Sequence, residues 1–175
     1  IIAASKSNLD LKKIFSVIPR LSSVEGRFEK IGKIKNKSLV FLDYAHTPDA
    51  LQTCILNIRE QFPDKHISVL FGCGGDRDKG KRTKMGKIAD KYADKIYLTD
   101  DNPRHERPNK IRDEIKRGIK KSQIVEISNR KEAIVKAISN LNTGNVLIVA
   151  GKGHEKIQQI GNRKVFLSDF EINKV

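Results

Sequence analysis

The chain has 175 residues, of which 38% are hydrophobic and 32% charged, so it can fill the core of one domain of ordinary size. These proportions exclude a disordered chain, and no apolar run approaches the roughly 18 residues that a membrane-spanning helix needs. The formal net charge of +14 suits either nucleic acid or an anionic small molecule. Because lysines are spread over the whole sequence and aromatic residues make up only 6% of it, we favour the small molecule.

The beginning of the sequence differs from the rest. It opens without a methionine, which leads us to expect a piece of a longer protein. Residues 9–18 have the apolar spacing of a helix that ends before Pro19, and a small polar segment covers residues 22–26. We expect residues 1–24 to be the end of a preceding domain with its linker, and residues 25–175 to form one domain.

From residue 27 onward, strand-like segments alternate with helical ones. Apolar and β-branched runs predict strands over residues 27–34, 38–43, 67–71, 95–99, 124–127, 146–150 and 165–167. Apolar residues three and four positions apart predict helices over residues 49–60, 81–92, 110–120 and 131–140. This alternation predicts an α/β fold, with an open, mostly parallel sheet that carries helices on both faces.

Glycine and polar residues gather directly after four of the predicted strands, over residues 43–48, 72–78, 100–106 and 151–155. The carboxyl ends of parallel strands meet at one edge of a sheet, where ligands of such sheets bind. The four loops therefore predict one shared cleft. The remaining loop, over residues 128–130, has the composition of an ordinary helix cap.

One of these loops nearly matches a nucleotide-binding pattern. Residues 75–82 fit G-x4-G-K-[ST] except at the last position, where Arg82 replaces the hydroxyl side chain that would hold magnesium. Asp76 and Asp78 inside the loop would also repel phosphate oxygens. An ATP P-loop is therefore the weaker interpretation. The dinucleotide pattern G-x-G-x-x-G fails as well, because Arg77 stands where the third glycine should be.

Two arginines of the predicted cleft, Arg77 and Arg104, can each bind a carboxylate through two parallel hydrogen bonds. With Glu155 for an ammonium group, they would suit a zwitterionic ligand. The alternative is that each arginine pairs with an acidic residue of its own loop. Pro103 favours the ligand interpretation for Arg104, because it stiffens the turn and limits where the arginine can point.

Asp43 and His46 flank the start of a predicted helix. The aspartate can accept hydrogen bonds from ribose hydroxyls and the histidine can meet a phosphate. The alternative is that both serve helix capping and local hydrogen bonding. Cys54 and Cys73 suggest neither a disulfide framework nor a zinc site, which suits a reducing cytoplasm. No spacing of residues indicates a metal site or a catalytic triad.

Four segments, over residues 43–51, 71–78, 101–104 and 151–155, resemble in order and spacing the C-terminal part of Mur ligases. The resemblance is strongest to the branch that adds meso-diaminopimelate to a peptidoglycan precursor. It implies the Rossmann-like third domain of a cytoplasmic ATP-dependent ligase. The first domain of such an enzyme holds UDP-N-acetylmuramoyl-L-alanyl-D-glutamate, and the central ATPase domain, to which residues 1–24 would belong, carries the P-loop and the Mg²⁺ site.

The resemblance also implies roles for individual residues. The residues expected to bind meso-diaminopimelate are Arg77, Asp101, Asn102, Pro103, Arg104, Gly151 and Glu155. The residues expected near ATP are Arg27, Asp43, Tyr44 and His46. No residue of this chain is assigned a catalytic or metal-binding role, since the central domain would bind most of the ATP and the Mg²⁺.

Diaminopimelate differs from lysine by a second carboxylate, so Arg104 predicts selection of diaminopimelate. We expect a monomeric full-length enzyme whose partners are meso-diaminopimelate, the UDP-linked dipeptide and ATP, with neither nucleic acid nor a membrane among them. We expect weak or no ligase activity from this chain alone. Three alternatives remain: another Mur or folylpolyglutamate-type ligase domain, a basic nucleotide- or nucleic-acid-binding α/β module, and a stand-alone nucleotide-binding regulator.

Overall fold

The computed structural model describes residues 6, 10–20, 24–33 and 37–172. Helix α1 (Leu11–Val17) comes first and runs directly into a 3-10 turn (Ile18–Arg20). Asp10 caps α1 by accepting a hydrogen bond from the backbone N–H of Lys12, which explains where the helix begins. The predicted start of this helix at residue 9, and residues 22–23 of the predicted polar segment over residues 22–26, lie outside the described residues.

Six strands form the central sheet in the order β1-β2-β6-β3-β4-β5. The strands are β1 (Glu29–Lys33), β2 (Leu39–Asp43), β3 (Ile67–Phe71), β4 (Lys95–Leu98), β5 (Gln123–Glu126) and β6 (Val146–Ala150). Strand β1 pairs with β2 in antiparallel orientation, and the other neighbours are parallel. The predicted open, mostly parallel sheet is therefore confirmed.

Four longer helices connect the parallel strands: α2 (Pro48–Gln61), α3 (Gly80–Tyr92), α4 (Pro108–Lys116) and α5 (Arg130–Ser139). Thr47 caps α2 and Asn129 caps α5, each by accepting from a backbone N–H of the first turn. The predicted cap over residues 128–130 is thus confirmed.

Helix α4 departs most from its prediction, which placed it over residues 110–120. It begins earlier because Pro108 suits the first turn of a helix. It ends earlier because the chain tightens after Lys116, where the N–H of Gly118 donates to the carbonyl of Ile115, only three residues back. A side chain at Gly118 would also collide with the Thr83 carbonyl of α3, so the turn is packed against the neighbouring helix.

The two faces of the sheet carry different helices because successive strand residues point to opposite sides. Helices α2, α3 and α4 cover the face that presents Phe41, Val69 and Ile148. Helix α5 and the short helix α6 (Asp169–Ile172) cover the other face, which presents Leu70 and Val149. Helices on both faces confirm the predicted layers, and none of the helices in the described ranges is long and apolar enough to cross a membrane.

A two-stranded antiparallel hairpin follows the sheet, built from β7 (Ile157–Ile160) and β8 (Arg163–Phe166). The sequence predicted only a strand over residues 165–167, shifted from the observed β8, and predicted neither β7 nor α6. Strand β7 escaped prediction because two glutamines interrupt its apolar pattern. One of them, Gln158, is buried and donates to the carbonyl of Asp101 at 2.6 Å, so the hairpin is attached to the loop after β4.

A buried ion pair joins α5, α6 and the end of β6. The Arg130 guanidinium donates to both carboxylate oxygens of Asp169, at 2.8 and 2.6 Å, and neither side chain is exposed to solvent. The same guanidinium donates to the carbonyl of Ala150 at 2.9 Å, the last residue of β6. The pair therefore fixes the point at which the chain leaves the central strand.

We predict that Asp169→Ala will lower the free energy of unfolding by about 3–5 kcal/mol, because it leaves the Arg130 charge buried without its partner. Urea unfolding near neutral pH measures the change. The control is the double variant Arg130→Met with Asp169→Leu, which buries no charge and should lose less stability than Asp169→Ala. An Asp169→Ala variant that unfolds at the wild-type urea concentration would contradict the prediction.

Candidate functional site

The loops after β2, β3, β4 and β6 meet at the carboxyl edge of the sheet and enclose a cleft of about 450 Å³. The predicted site residues that line it are Tyr44, His46, Arg77, Asp101, Asn102, Arg104, Gly151 and Glu155. The predicted convergence of four loops on one cleft is therefore confirmed. A second cavity of about 480 Å³ shares Asn102, Arg104 and Glu155 with this cleft and extends along β7 and β8.

Three predicted site residues do not line the cleft. Asp43 accepts from the backbone N–H groups of Phe28 and Ala45, at 2.7 and 2.8 Å, so both carboxylate oxygens serve local structure. The Arg27 guanidinium lies 4.7 Å from the centre of the Tyr44 ring, in a cation–π contact at the cleft's margin. Pro103 is buried beside the cleft, and its carbonyl accepts from the backbone of the same loop.

The cleft arginines are not paired with acidic neighbours. Within the described residues, neither Arg77 nor Arg104 takes part in an ion pair. The nearby carboxylates have other partners, since Asp76 binds His105 and Glu106 binds Arg82. Arg77 is exposed at the rim, and the alternative in which each arginine is neutralised by its own loop is therefore wrong for this structure.

Hydrogen bonds hold both the side chain and the backbone of Arg104. Its Nη1 donates to the carbonyl of Gly75 at 2.7 Å, which leaves the other edge of the guanidinium without a partner among the described residues. Its backbone lies in the left-handed region, with φ of 51°, a conformation that costs a non-glycine residue about 1–3 kcal/mol. Hydrogen bonds to Gln159 and from Gly161 of the hairpin, at 3.1 and 2.6 Å, stabilise that conformation.

The loops after β3 and β4 pack so closely that only glycine fits at Gly75. A Cβ atom at this position would lie 1.9 Å from the carbonyl oxygen of Pro103. The N–H of Gly75 donates to the carbonyl of Asn102 at 2.9 Å, so backbone contacts join the two loops directly. The relative position of the two loops that carry Arg77 and Arg104 is consequently fixed by backbone contacts.

The chain is similar to known proteins in both sequence and fold. A sequence model described as Mur ligase, glutamate ligase domain, matches residues 26–153. The chain belongs to the Mur ligase family.

Two curated relatives carry the same name, UDP-N-acetylmuramoyl-L-alanyl-D-glutamate--2,6-diaminopimelate ligase. The protein of Rickettsia felis is 46% identical over 164 residues, which cover 93% of this chain and 30% of the relative. The protein of Rhizobium meliloti is 46% identical over 166 residues, which cover 95% of this chain and 34% of the relative. This Mur ligase chain therefore spans about a third of the length of the curated relatives it matches.

A solved structure of a UDP-N-acetylmuramoyl-L-alanyl-D-glutamate--2,6-diaminopimelate ligase is similar with a TM-score of 0.80 and 35% identity, over 99% of this chain and 35% of that one. A folylpolyglutamate synthase from Thermotoga maritima is similar with a TM-score of 0.59 and 22% identity, over 82% of this chain and 31% of that one. The second likeness is one of fold alone.

The near P-loop of this Mur ligase domain is organised from inside by Arg82. The side chain of Arg82 is fully buried and donates to Glu106, to Glu114 and to the carbonyl of Gly74. The position that would carry a P-loop hydroxyl therefore points into the protein, and Asp78 accepts from the backbone N–H of Gly80, the first residue of the following helix. Both observations support the interpretation that this loop does not hold phosphate.

Sequence analysis missed two buried cations beside the cleft, Arg82 and Lys152. Lys152 has no exposed side-chain surface, and its ammonium lies 3.1 Å from Oε2 of Glu155. The only signal in the sequence was an unexplained charge within a glycine-rich segment, which normally indicates an exposed residue.

Neither metal nor thiol chemistry is indicated at the cleft. The described residues contain no group of three or more His, Cys, Asp or Glu side chains placed to hold a metal ion. Cys73 lies on the cleft wall, but burial raises the pKa of its thiol to about 12, so it stays protonated near neutral pH. The thiol of Cys73 is therefore not expected to act as a nucleophile near neutral pH.

We predict that Glu106 stabilises the folded protein near neutral pH and that this contribution is lost as the pH becomes acidic. The hydrogen bond from Arg82 lowers the pKa of Glu106 from 4.5 to about 2, so the folded protein favours the ionised carboxylate. A lowered pKa stabilises the protein fully above the ordinary value and progressively less as the pH falls toward about 2. The unfolding free energies of the wild type and Glu106→Gln should thus differ most near neutral pH and converge as the pH is lowered.

Urea unfolding at about pH 7 and about pH 3 measures this difference. Glu60→Gln is the matched control, because Glu60 is exposed on α2 and forms no ion pair with a described residue. It should leave the unfolding free energy nearly unchanged at both pH values. A gap between wild type and Glu106→Gln that stays constant with pH would refute the assignment.

Proposed function

We propose that this domain binds meso-diaminopimelate as the incoming amino acid of an ATP-dependent ligase that extends UDP-N-acetylmuramoyl-L-alanyl-D-glutamate in peptidoglycan synthesis. The observation that carries the proposal is the presence in one cleft of two arginines without acidic partners, Arg77 and Arg104, together with the carboxylate of Glu155. Diaminopimelate carries two carboxylates and two ammonium groups, which complement these charges. The names of the relatives agree with this ligand.

The carboxylates of the ligand would be bound by the arginines. Arg104 has one edge anchored to Gly75, so the free edge of its guanidinium can form two parallel hydrogen bonds without losing much conformational freedom. Arg77 is exposed and less constrained, which suits a group that meets the ligand as it enters. Asp101 and Gly151 line the cleft close together, and the φ of 112° at Gly151 is a conformation that residues with a side chain rarely adopt.

The ammonium group of the ligand would be bound by Glu155. Oε2 of this carboxylate accepts from Asn102 and Lys152, both at 3.1 Å. Oε1 receives only the hydroxyl of Tyr44, at 3.3 Å, and thus retains capacity for a further donor. Glu155 is about one-third exposed, so a ligand in the cleft can reach it.

Selection against lysine follows from the same arrangement. Lysine lacks the second carboxylate, so one of the two cleft arginines would have no carboxylate to bind. Rejection by an unfilled polar site can reach roughly 10⁴-fold. We therefore propose that this chain is part of a diaminopimelate-adding ligase, rather than of a lysine-adding or folylpolyglutamate-type one.

The nucleotide would lie at the margin formed by Arg27, Tyr44 and His46. The cation–π pair of Arg27 with Tyr44, and the ring of His46 at 4.6 Å from that of Tyr44, offer positive charge and flat surfaces. Mg²⁺ and the P-loop would belong to the central domain of the full-length protein, which we propose to be a cytoplasmic monomer. Residues 1–24 would be the end of that central domain and its linker, and residues 25–175 the amino-acid-binding domain.

We predict that meso-diaminopimelate will shift backbone amide resonances clustered at the cleft, and that L-lysine will not. Arg104→Ala should abolish the response, because it removes the anchored guanidinium that we propose binds a carboxylate of the ligand. Arg107→Ala is the matched control, since it removes the same charge three residues further along the chain. The side chain of Arg107 is exposed and does not line the cleft. Two-dimensional NMR titration is suitable because it detects weak binding, which we expect of an isolated domain.

Shifts confined to the residues around Arg77, Asn102, Arg104 and Glu155, retained in Arg107→Ala, would support the assignment. An equal response to lysine would remove the argument from the second carboxylate and favour a lysine-adding or promiscuous ligase. Saturable binding of ATP with no response to either amino acid would favour a nucleotide-binding regulator. Salt-dependent binding to duplex DNA would favour the nucleic-acid-binding alternative.

We also predict weak or no ligase activity from this chain alone, because such enzymes complete their sites by closing domains over the substrates. The measurement is phosphate release in the presence of ATP, Mg²⁺, the UDP-linked dipeptide and meso-diaminopimelate. Turnover that persists after removal of contaminating enzymes would overturn this expectation.

A further inference from the structure

Lys152 is the most unusual charged residue near the cleft, because its side chain is completely buried. Lysine is among the residues least often fully buried, and it is tolerated there only when its charge is paired. Its ammonium donates to the carbonyl of Ile157 at 2.6 Å, to Oε2 of Glu155 at 3.1 Å and to Oδ1 of Asn102 at 3.5 Å. All three of its protons therefore have an acceptor.

These three acceptors belong to three separate parts of the site. Glu155 lies in the loop after β6, Asn102 in the loop after β4, and Ile157 at the start of the hairpin. The backbone N–H of Gln159 also donates to Oδ1 of Asn102, at 2.9 Å. With its oxygen occupied by Lys152 and Gln159, the amide of Asn102 turns its Nδ2 toward Glu155.

We propose that Lys152 is a positioning residue for ligand recognition: it fixes Glu155 and Asn102 in the one arrangement that leaves Oε1 of Glu155 open for an ammonium group. Lys152 does not line the cleft, so it acts through these two side chains and not by touching the ligand. This inference rests on the proposed function, in which Glu155 binds the ammonium group of meso-diaminopimelate.

The electrostatics agree with the geometry. Burial alone would raise the pKa of Glu155, but the hydrogen bond and charge of Lys152, with hydrogen bonds from Asn102 and Tyr44, lower it below its ordinary value. The pKa of Tyr44 is raised by burial and by Glu155, so its hydroxyl remains a donor. The charged or titratable groups that line the same two cavities as Glu155 include His46, Arg77, Asp78, Lys81, Asp101, Arg104, His154, Lys156 and Lys164, and the charge of Arg130 also acts on Glu155.

The first test is a double-variant cycle with Lys152→Met and Glu155→Gln, measured as the dissociation constant for meso-diaminopimelate. Lys152→Met should weaken binding about tenfold or more, the loss typical of a charge-assisted contact. In the Glu155→Gln background the same change should weaken binding far less, because the group through which Lys152 acts is already altered. Equal losses in the two backgrounds would overturn the proposal, since a purely structural lysine costs the same in both.

The second test needs no ligand. Titration of the ¹³C carboxyl resonance of Glu155 should give a pKa below 4.5 in the wild type and a higher pKa in Lys152→Met. Accordingly, binding by Lys152→Met should weaken further as the pH falls from about 7 to about 5, whereas wild-type binding should change little over that range. A wild-type pKa at or above 4.5 would overturn the proposal even if Lys152→Met does not fold.

The two tests separate this inference from the proposed function. If the wild type does not bind meso-diaminopimelate while the Glu155 titration behaves as expected, the proposed function fails and the coupling of Lys152 to Glu155 stands. If the wild type binds meso-diaminopimelate while Glu155 titrates alike in the wild type and Lys152→Met, the proposed function stands and the role of Lys152 fails.

Discussion

Buried cations hold the loops that form the cleft. Arg82 binds Gly74 and Glu106 from beneath the loops after β3 and β4, and Lys152 joins the loops after β4 and β6. Arg130 fixes the last carbonyl of β6. Removing these charges from water is costly, and hydrogen bonds to carboxylates and carbonyls must offset the cost. The offset is incomplete for Nε of Arg82 and Nη1 of Arg130, which have no hydrogen-bond partner in the described parts of the chain.

This use of cations explains how a strongly basic chain keeps two arginines available in its cleft. Two carboxylates of the loops that carry Arg77 and Arg104 already have other partners, since Glu106 binds Arg82 and Asp76 binds His105. Acidic side chains that could have neutralised the cleft arginines are thereby directed inward or across the loops. The cleft retains positive charge at the arginines and negative charge at Glu155, so its charges are matched by a zwitterion better than by a simple anion.

The sequence predicted the sheet, the helices on both faces and the convergence of four loops, because each depends on local periodicity and on where parallel strands end. It could not predict the burial of Arg82 and Lys152, whose partners come from other segments and whose residue types normally indicate exposure. The left-handed backbone of Arg104 was also beyond prediction, since it depends on hydrogen bonds to a hairpin more than 50 residues later. The expected ligand roles of Asp43 and Pro103 stay predictions. The hydrogen bonds that the structure shows for these two residues are local ones.

The hairpin links the two ends of the proposed ligand site. Through Gln159 it accepts from the backbone of Arg104 and donates to the side chain of Asn102, and through Ile157 it accepts from Lys152. Arg104 and Glu155, for which we propose carboxylate and ammonium binding, are therefore both connected to the hairpin, Arg104 directly and Glu155 through Asn102 and Lys152. A site that must distinguish a ligand with charged groups at both ends from one with a single carboxylate needs a fixed distance between its binding groups. A strand bonded to Arg104, and to Glu155 through Asn102 and Lys152, helps to fix that distance, whereas two independent loops would let a shorter or singly charged ligand be accommodated.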